Sequence, residues 1–225
     1  MAKAALVTGG SSGIGLATAR MLRDEGYGVT LVARTPERLA AAAAELDAHA
    51  VEGDIANEDD CERIVVEHRA HFARLDVLVN SAGAGVGARI EDLKTKHWDL
   101  QLDVNLRGTF LVTRFALPLL KESRGLVINL SSIAGMTAAP GLAAYGAAKA
   151  GLISLTRSLN AEHRDDGIRA TAICPGFVDT PMAAWTGMTS EEMIQPQDCA
   201  EVVRALLRLS PQARIPEIVI ERLGA

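Results

Sequence analysis

Two side chains able to move a proton stand four residues apart in Tyr145-Gly-Ala-Ala-Lys149. On a helix that spacing places both on one face. A phenol is a poor acid-base catalyst near neutrality because its ordinary pKa is about 10. A neighbouring ammonium stabilises the phenolate and brings that value toward the working range. Ser132 ends an apolar run a short way upstream and could hold a substrate oxygen in the same cleft. Taken alone, the pair also reads as a half-buried tyrosine beside a solvated lysine.

The second chemical feature is Leu6-Val-Thr-Gly-Gly-Ser-Ser-Gly-Ile-Gly15. Gly9 to Gly13 spell the G-x-S-x-G of a hydrolase elbow, whereas Gly9, Gly13 and Gly15 spell a turn that lets a phosphate approach backbone. A serine hydrolase built on Ser11 needs a downstream acid and histidine and an oxyanion loop that ordinarily precedes the serine. The first strand has no upstream sheet to supply that loop. His49, His68, His71, His97 and His163 lie in or beside helical or polar stretches. His68 falls on the apolar stripe of Cys61, Ile64, Val65 and Phe72 and reads as a packed histidine; the His68/His71 pair reads as a solvated helix side beside Glu67, not a metal site.

The cradle needs only glycines between a strand and a helix, so that N–H groups and the positive helix end face a diphosphate. The second apolar run then ends in Ala33-Arg34, where a protein holding the free 2′-hydroxyl of NAD would carry a carboxylate. A guanidinium without a competing carboxylate suits a 2′-phosphate and predicts NADP(H) over NAD(H).

These residues need elements to carry them. Apolar runs at Ala4 to Val7, Val29 to Ala33, Val77 to Val79, Leu126 to Leu130, Ala170 to Cys174 and Ile218 to Ile220 read as buried strands. Helical patterns lie between them, the first through Ile14, Ala17, Thr18, Met21 and Leu22, with Pro36 and Pro196 opening others. Such alternation predicts a parallel sheet covered on both faces, the doubly wound α/β architecture. The glycine turn, Asn80-Ser-Ala-Gly83, Ser131-Ser132 and Pro175-Gly176 all follow strands, which predicts one site at the carboxyl edge of the sheet.

At 225 residues and 48% hydrophobic, the chain suits one sizeable domain. A formal charge of −5 without a basic run argues against nucleic acid as a partner. Cys61, Cys174 and Cys199 form no C-x-x-C and read as small buried hydrophobes in a reduced compartment. The apolar run at the N-terminus ends at Thr8, too short for a signal core, and no window reaches the length of a membrane span. The expectation is a cytoplasmic protein with no membrane partner.

Taken together, Thr8-Gly9-x-x-x-Gly13-x-Gly15, Asp54, Asn80-x-Ala82-Gly83, Asn105, Ser132, Tyr145-x-x-x-Lys149, and Pro175-Gly176 with Thr180 resemble the short-chain dehydrogenase/reductase family along almost the whole chain. The resemblance implies a single Rossmann-type domain over 1–225, with a mostly parallel seven-stranded sheet and a substrate lid at about 180–196. Tyr145 would be the general acid in carbonyl reduction and the base in alcohol oxidation. Ser132 would polarise the carbonyl. Lys149 would bind the nicotinamide ribose and tune Tyr145, and Asn105 would anchor a relay water. Ser11, Ser12 and Ile14 would join the glycines at the diphosphate, and Arg34 would meet the 2′-phosphate. Asp54 and Ile55 would flank the adenine, while Asn80, Ala82 and Gly83 would form the cofactor edge. Pro175, Gly176, Val178 and Thr180 would hold the carboxamide and diphosphate end.

Ser81 replaces the second Asn common in the family, and Arg214-Ile-Pro-Glu-Ile-Val-Ile-Glu-Arg-Leu-Gly-Ala225 lacks its frequent Asp-Gly-Gly ending, resembling a smaller branch that acts on 3-hydroxy acids and related small carbonyl compounds. The expected substrate is a small carbonyl compound or its alcohol, with apolar contacts from Met182, Trp185, Met188 and Met193 of the lid. Helices over Arg107 to Lys121 and Ala144 to His163 are apolar on more than one side and predict a homodimer or homotetramer. A catalytically silent NADP(H)-binding regulator is the alternative.

Overall fold

A computed structural model describes residues 2–223. Strands β1 (Ala4–Thr8), β2 (Gly28–Ala33), β3 (His49–Glu52), β4 (Val77–Asn80), β5 (Leu126–Leu130), β6 (Arg169–Pro175) and β7 (Glu217–Ile220) form one sheet in the order β3-β2-β1-β4-β5-β6-β7. Every pairing is parallel. Helices α1 (Gly13–Asp24), α2 (Pro36–Leu46), α3 (Glu58–Phe72), α4 (Thr95–Leu102), α5 (Thr109–Ser123), α6 (Ala143–Glu162) and α7 (Pro196–Leu207) lie between the strands.

Strand side chains alternate between two cores, as the pleat requires. Ala5, Val7, Val77 and Val79 pack with α1, α2 and α7, while Leu6 and Leu78 pack with α3 and α5. Both faces are covered, so the central strands are apolar without interruption. Strand order reverses between β1 and β4, and the crevice at their carboxyl ends is where the glycine turn and Asn80 stand.

β3 is absent from the apolar runs. His-Ala-Val-Glu buries only Val51, because an edge strand touches the core through one residue. The helix expected from Arg107 begins instead at Thr109, and the preceding turn, Asp103–Gly108, is wound as a π-helix around Asn105. Among the described residues no helix is long and apolar enough to cross a membrane. All three cysteines are free and buried, and burial raises the Cys61 and Cys174 thiols to about 11.

His68 is the packed histidine its apolar stripe predicts, so of the pair expected on a solvated helix side only His71 is exposed. His68 is fully buried, its Nδ1 2.8 Å from Thr30 Oγ1 and its Nε2 2.9 Å from the Arg74 carbonyl. His71 stacks on His49 at 4.2 Å between ring centroids. Among the described residues no group of three or more His, Cys, Asp or Glu could hold a metal ion. Burial pushes His68 down to about 4, so it is neutral in the folded state and charges more readily when unfolded. Its stabilising effect is complete above the unfolded pKa of about 6.5 and is lost as pH falls toward the folded value, up to roughly 3 kcal/mol. Urea unfolding is expected to show stability falling from pH 7 to pH 5, with a flatter slope in His68→Leu.

Candidate active site

The glycine turn is built by close approach. A Cβ on Gly15 would lie 2.3 Å from the Gly9 carbonyl oxygen, and Gly9 itself, at φ +66°, lies against Ala82, where a Cβ would come within 2.8 Å of backbone. No side chain fits either position. Thr8 joins the two loops, its Oγ1 accepting from the Ser81 and Ala82 N–H groups at 3.2 Å each. Ser12 is extended at the N-cap of α1 and makes no side-chain capping bond, which leaves the first N–H groups facing the turn. The cradle and the helix end together fit a diphosphate.

The other expected cofactor residues divide into groups. Thr180 lies against the turn, its Cγ2 3.0 Å from where a Gly13 Cβ would stand. Ile14 packs with Val178, Ile194 and Cys199. Pro175 ends β6, and Gly176 donates to the Ile220 carbonyl at 2.9 Å. Ile55 is 5% exposed and belongs to the core below α3 and α5. Asn80 Nδ2 bonds Thr113 Oγ1 at 3.1 Å and Asn129 Oδ1 at 2.9 Å, and Asn129 continues to Thr156 on α6 at 2.8 Å. This buried ladder ties β4 and β5 to the helices on one face.

Arg34 is 60% exposed, with Nη1 3.7 Å from Asp54 Oδ2. The expectation of a guanidinium without a competing carboxylate is therefore corrected: residues far apart in sequence become neighbours because β2 ends beside the loop after β3. The pair is long and solvated and holds the side chain only weakly.

At the other end of the crevice, Ser132 is 9% exposed; its Oγ accepts from the Ala134 N–H at 3.2 Å and donates to the Pro175 carbonyl at 3.4 Å. Its hydroxyl is close enough to the Tyr145 phenol to hold that group's pKa down against burial. Lys149 is buried one turn along α6, with Nζ 2.6 Å from the Leu130 carbonyl and 5.4 Å from the Tyr145 ring centroid. Ser131 Oγ donates to the Lys149 carbonyl at 2.9 Å and fixes α6 against β5.

The expected lowering of Tyr145 by Lys149 is not what this arrangement produces. Burial raises the phenol, the Ser132 hydroxyl opposes that, and the ammonium sits over the ring bonded to a carbonyl. Tyr145 is thus a protonated donor at neutral pH. Burial also pushes Lys149 down to about 8, with no carboxylate to compensate. Below that pH the folded state bears the cost of a charged buried amine, roughly 3 kcal/mol, and the cost fades between about 8 and 10.4. Lys149→Met is therefore expected to raise the Tm at pH 7 by several degrees. The gain should shrink by pH 10 in thermal melts; the Leu130 carbonyl left without a donor offsets part of it.

Asn105 is fully buried. Its Oδ1 accepts from the Ala84 N–H at 3.1 Å, and its Nδ2 donates to the Ala84 and Gln101 carbonyls at 2.7 and 2.8 Å. Gln101, absent from the expected set, is equally buried, and its Oε1 accepts from the Val86 N–H at 3.0 Å. A polar residue four positions before Asn105 on the same helical face was the available signal. Glycine at 83, 85 and 87 was another. Ser11 has no histidine among its hydrogen-bond partners in the described residues, and His163 is bonded instead to Asp166 at 2.7 Å.

The model of the family described as short chain dehydrogenase matches residues 3–190. An uncharacterized oxidoreductase of Staphylococcus epidermidis is 38% identical over 224 residues, covering 97% of this chain and 96% of that protein. One from Staphylococcus aureus is 35% identical over 222 residues, covering 97% and 96%. Among solved structures, an alcohol dehydrogenase from the archaeon Thermococcus sibiricus, complexed with 5-hydroxy-NADP, superposes with a TM-score of 0.91 at 30% identity, covering 99% of this chain and 97% of that one.

Proposed function

Because the chain belongs to the short-chain dehydrogenase family, and is an oxidoreductase of that family, we propose that it interconverts a small carbonyl compound and its alcohol with NADP(H). The observation that carries this reading is the Tyr145 phenol beside Ser132, with Lys149 one turn along α6, at the sheet edge that also carries the glycine cradle. The cradle of Gly9, Ser11, Ser12, Gly13, Ile14 and Gly15 takes the diphosphate, Arg34 the 2′-phosphate, and Asp54 and Ile55 the adenine side. The 5-hydroxy-NADP held by the similar Thermococcus sibiricus enzyme supports the choice of an NADP-type nucleotide. Asn80, Ala82, Gly83, Pro175, Gly176, Val178 and Thr180 line the remainder.

When bound, the dinucleotide supplies the hydride. The protein's own residues handle the proton. Tyr145 donates its phenolic proton to the carbonyl oxygen as the alcohol forms, and accepts it back in the oxidative direction. Ser132 donates a hydrogen bond to the same oxygen where negative charge develops. Lys149 binds the nicotinamide ribose, and the Ser132 hydroxyl, which opposes the rise of the buried phenol, supports the phenolate formed at each turnover. Asn105 Oδ1 keeps one lone pair beyond the bond from Ala84, available to a relay water.

One domain carries all these parts, with residues 180–196 as its lid; Asp179 bonds Ile194, and Val178 bridges it, at the lid's root. Phe110 is 44% exposed on α5 in a groove with Leu102, Leu106 and Leu155, which supports assembly as a homo-oligomer. The test is an NADPH-absorbance screen of aldehydes, ketones, 3-keto acids and hydroxy acids, run in both directions. Turnover is expected. Micromolar NADPH binding without turnover on any of these compounds would favour a silent binding protein instead.

A further inference from the structure

A line of buried side chains crosses the sheet behind the site. Thr113 on α5, Asn80 on β4, Asn129 on β5 and Thr156 on α6 are each at most 6% exposed, and bonds of 3.1, 2.9 and 2.8 Å link them in that order. Thr156 uses its hydroxyl in both directions, Oγ1 accepting from Asn129 Nδ2 and donating to the Leu152 carbonyl at 2.8 Å. Polar groups at this depth are costly to leave unpaired, so each link resists breaking. Each also adjoins a part of the site. Asn80 precedes the loop that begins at Ser81, Asn129 stands three residues before Ser132, and Thr156 belongs to the helix that carries Tyr145 and Lys149.

The hold of β5 on α6 has two heights. At Lys149 the carbonyl accepts from Ser131 Oγ at 2.9 Å, Nζ donates to the Leu130 carbonyl at 2.6 Å, and a Cβ on Gly135 would come within 2.7 Å of the carbonyl carbon. Thr156 is the second, seven residues on and about 10.5 Å farther along the axis at about 1.5 Å per residue. Tyr145 lies on the other side of Lys149, about 6 Å away by the same rise. Lys149 is therefore a fulcrum, and a shift at Thr156 returns at Tyr145 with a little over half its size. Inward movement is barred there, because a Cβ on Gly146 would already lie 2.7 Å from the Ala134 carbonyl oxygen, in the turn that begins at Ser132. A swing can only open the gap between Tyr145 and Ser132.

Resting on the reductase reading, we propose that Thr156, through its bond to Asn129, is a positioning residue that sets the distance between the Tyr145 phenol and the Ser132 hydroxyl. Asn129 passes the same reference to Asn80, so that the helix, the serine strand and the loop after β4 share one height. A misplacement of about 1 Å can cost about a hundredfold in rate. A relaxation of that size at Thr156, delivered to Tyr145 as roughly 0.6 Å, is worth about tenfold.

The test uses Thr156→Val, which keeps the shape and removes the hydroxyl, and Thr156→Ser, which keeps the hydroxyl. Asn129→Leu combined with Thr156→Val leaves no unpaired group between the two, Asn80 retaining Thr113, and takes over should the single variant not fold. The chain has two tyrosines, Tyr27 and Tyr145, so NMR of protein labelled at tyrosine Cζ, assigned with Tyr145→Phe, follows the phenol without any turnover. In Thr156→Val the Tyr145 signal is expected to titrate at higher pH than in the wild type, since a more distant Ser132 no longer holds the phenol down against burial. The kcat for carbonyl reduction should fall about tenfold with the NADPH Kd within about threefold, and Thr156→Ser should restore both readings. A packing role alone lowers the Tm and moves neither. An unmoved Tyr145 titration in folded Thr156→Val, or in the folded double variant, would overturn the proposal whatever the Tm, and beside wild-type turnover it would leave the reductase reading standing. A moved titration in a protein whose wild type turns over no compound would uphold the placement of Tyr145 by Thr156 and overturn the reductase reading.

Discussion

Tyr145→Phe is expected to lower kcat for carbonyl reduction by about three orders of magnitude while leaving the NADPH Kd within about threefold, the range associated with losing a positioned general acid. The substitution removes one hydroxyl and keeps the ring that Lys149 covers at 5.4 Å, so α6 should stay in place. Ser132 keeps its bonds to the Ala134 N–H and the Pro175 carbonyl. Steady-state kinetics with a cofactor titration separates the outcomes. A substantially active variant would remove Tyr145 from the proposed chemistry, and a lost cofactor Kd would make it a binding residue. The protonation state adds a directional check. Because burial raises the phenol, reduction should not depend on raising the pH through neutrality, whereas oxidation, which needs the phenolate, should accelerate as pH rises.

The second large effect concerns the cofactor. In Ala33→Asp combined with Arg34→Ser, the ratio of kcat/KM for NADPH to that for NADH is expected to fall by about a hundredfold, since a charge-assisted hydrogen bond is worth about 1.5–3 kcal/mol and the new carboxylate adds repulsion. Ala33 is the last residue of β2, where a carboxylate would meet a ribose 2′-hydroxyl. Arg34 must exchange its 3.7 Å contact with Asp54 for the phosphate; with 60% of its side chain exposed, little opposes that movement. Unchanged relative efficiencies would refute Arg34 as the residue that tests for the phosphate.

Much of the fold was legible because its signals are local. Central strands carry unbroken apolar runs since both of their faces are covered, and Pro36 and Pro196 open α2 and α7 because a missing N–H costs nothing at a first turn. β3 was not legible, as an edge strand with one buried residue has no periodic signature. The π-turn at Asp103–Gly108 was hidden for a different reason: its winding serves contacts of Asn105 and Gln101 with a loop about fifteen to twenty residues earlier.

The site divides in the same way. The sequence alone determined which residue types follow which strand, because parallel strands joined by right-handed crossovers bring every strand's carboxyl end to one edge. It could therefore assemble Gly9, Asn80, Ser132 and Tyr145 without coordinates. Tertiary structure decided what each group is bonded to, and with it the protonation state. Lys149 is turned to the Leu130 carbonyl, Tyr145 is raised by burial, Arg34 is met by Asp54, and His68 is neutral inside the core. Burial and through-space partners set the energy of a charge, and neither is a property of neighbours along the chain.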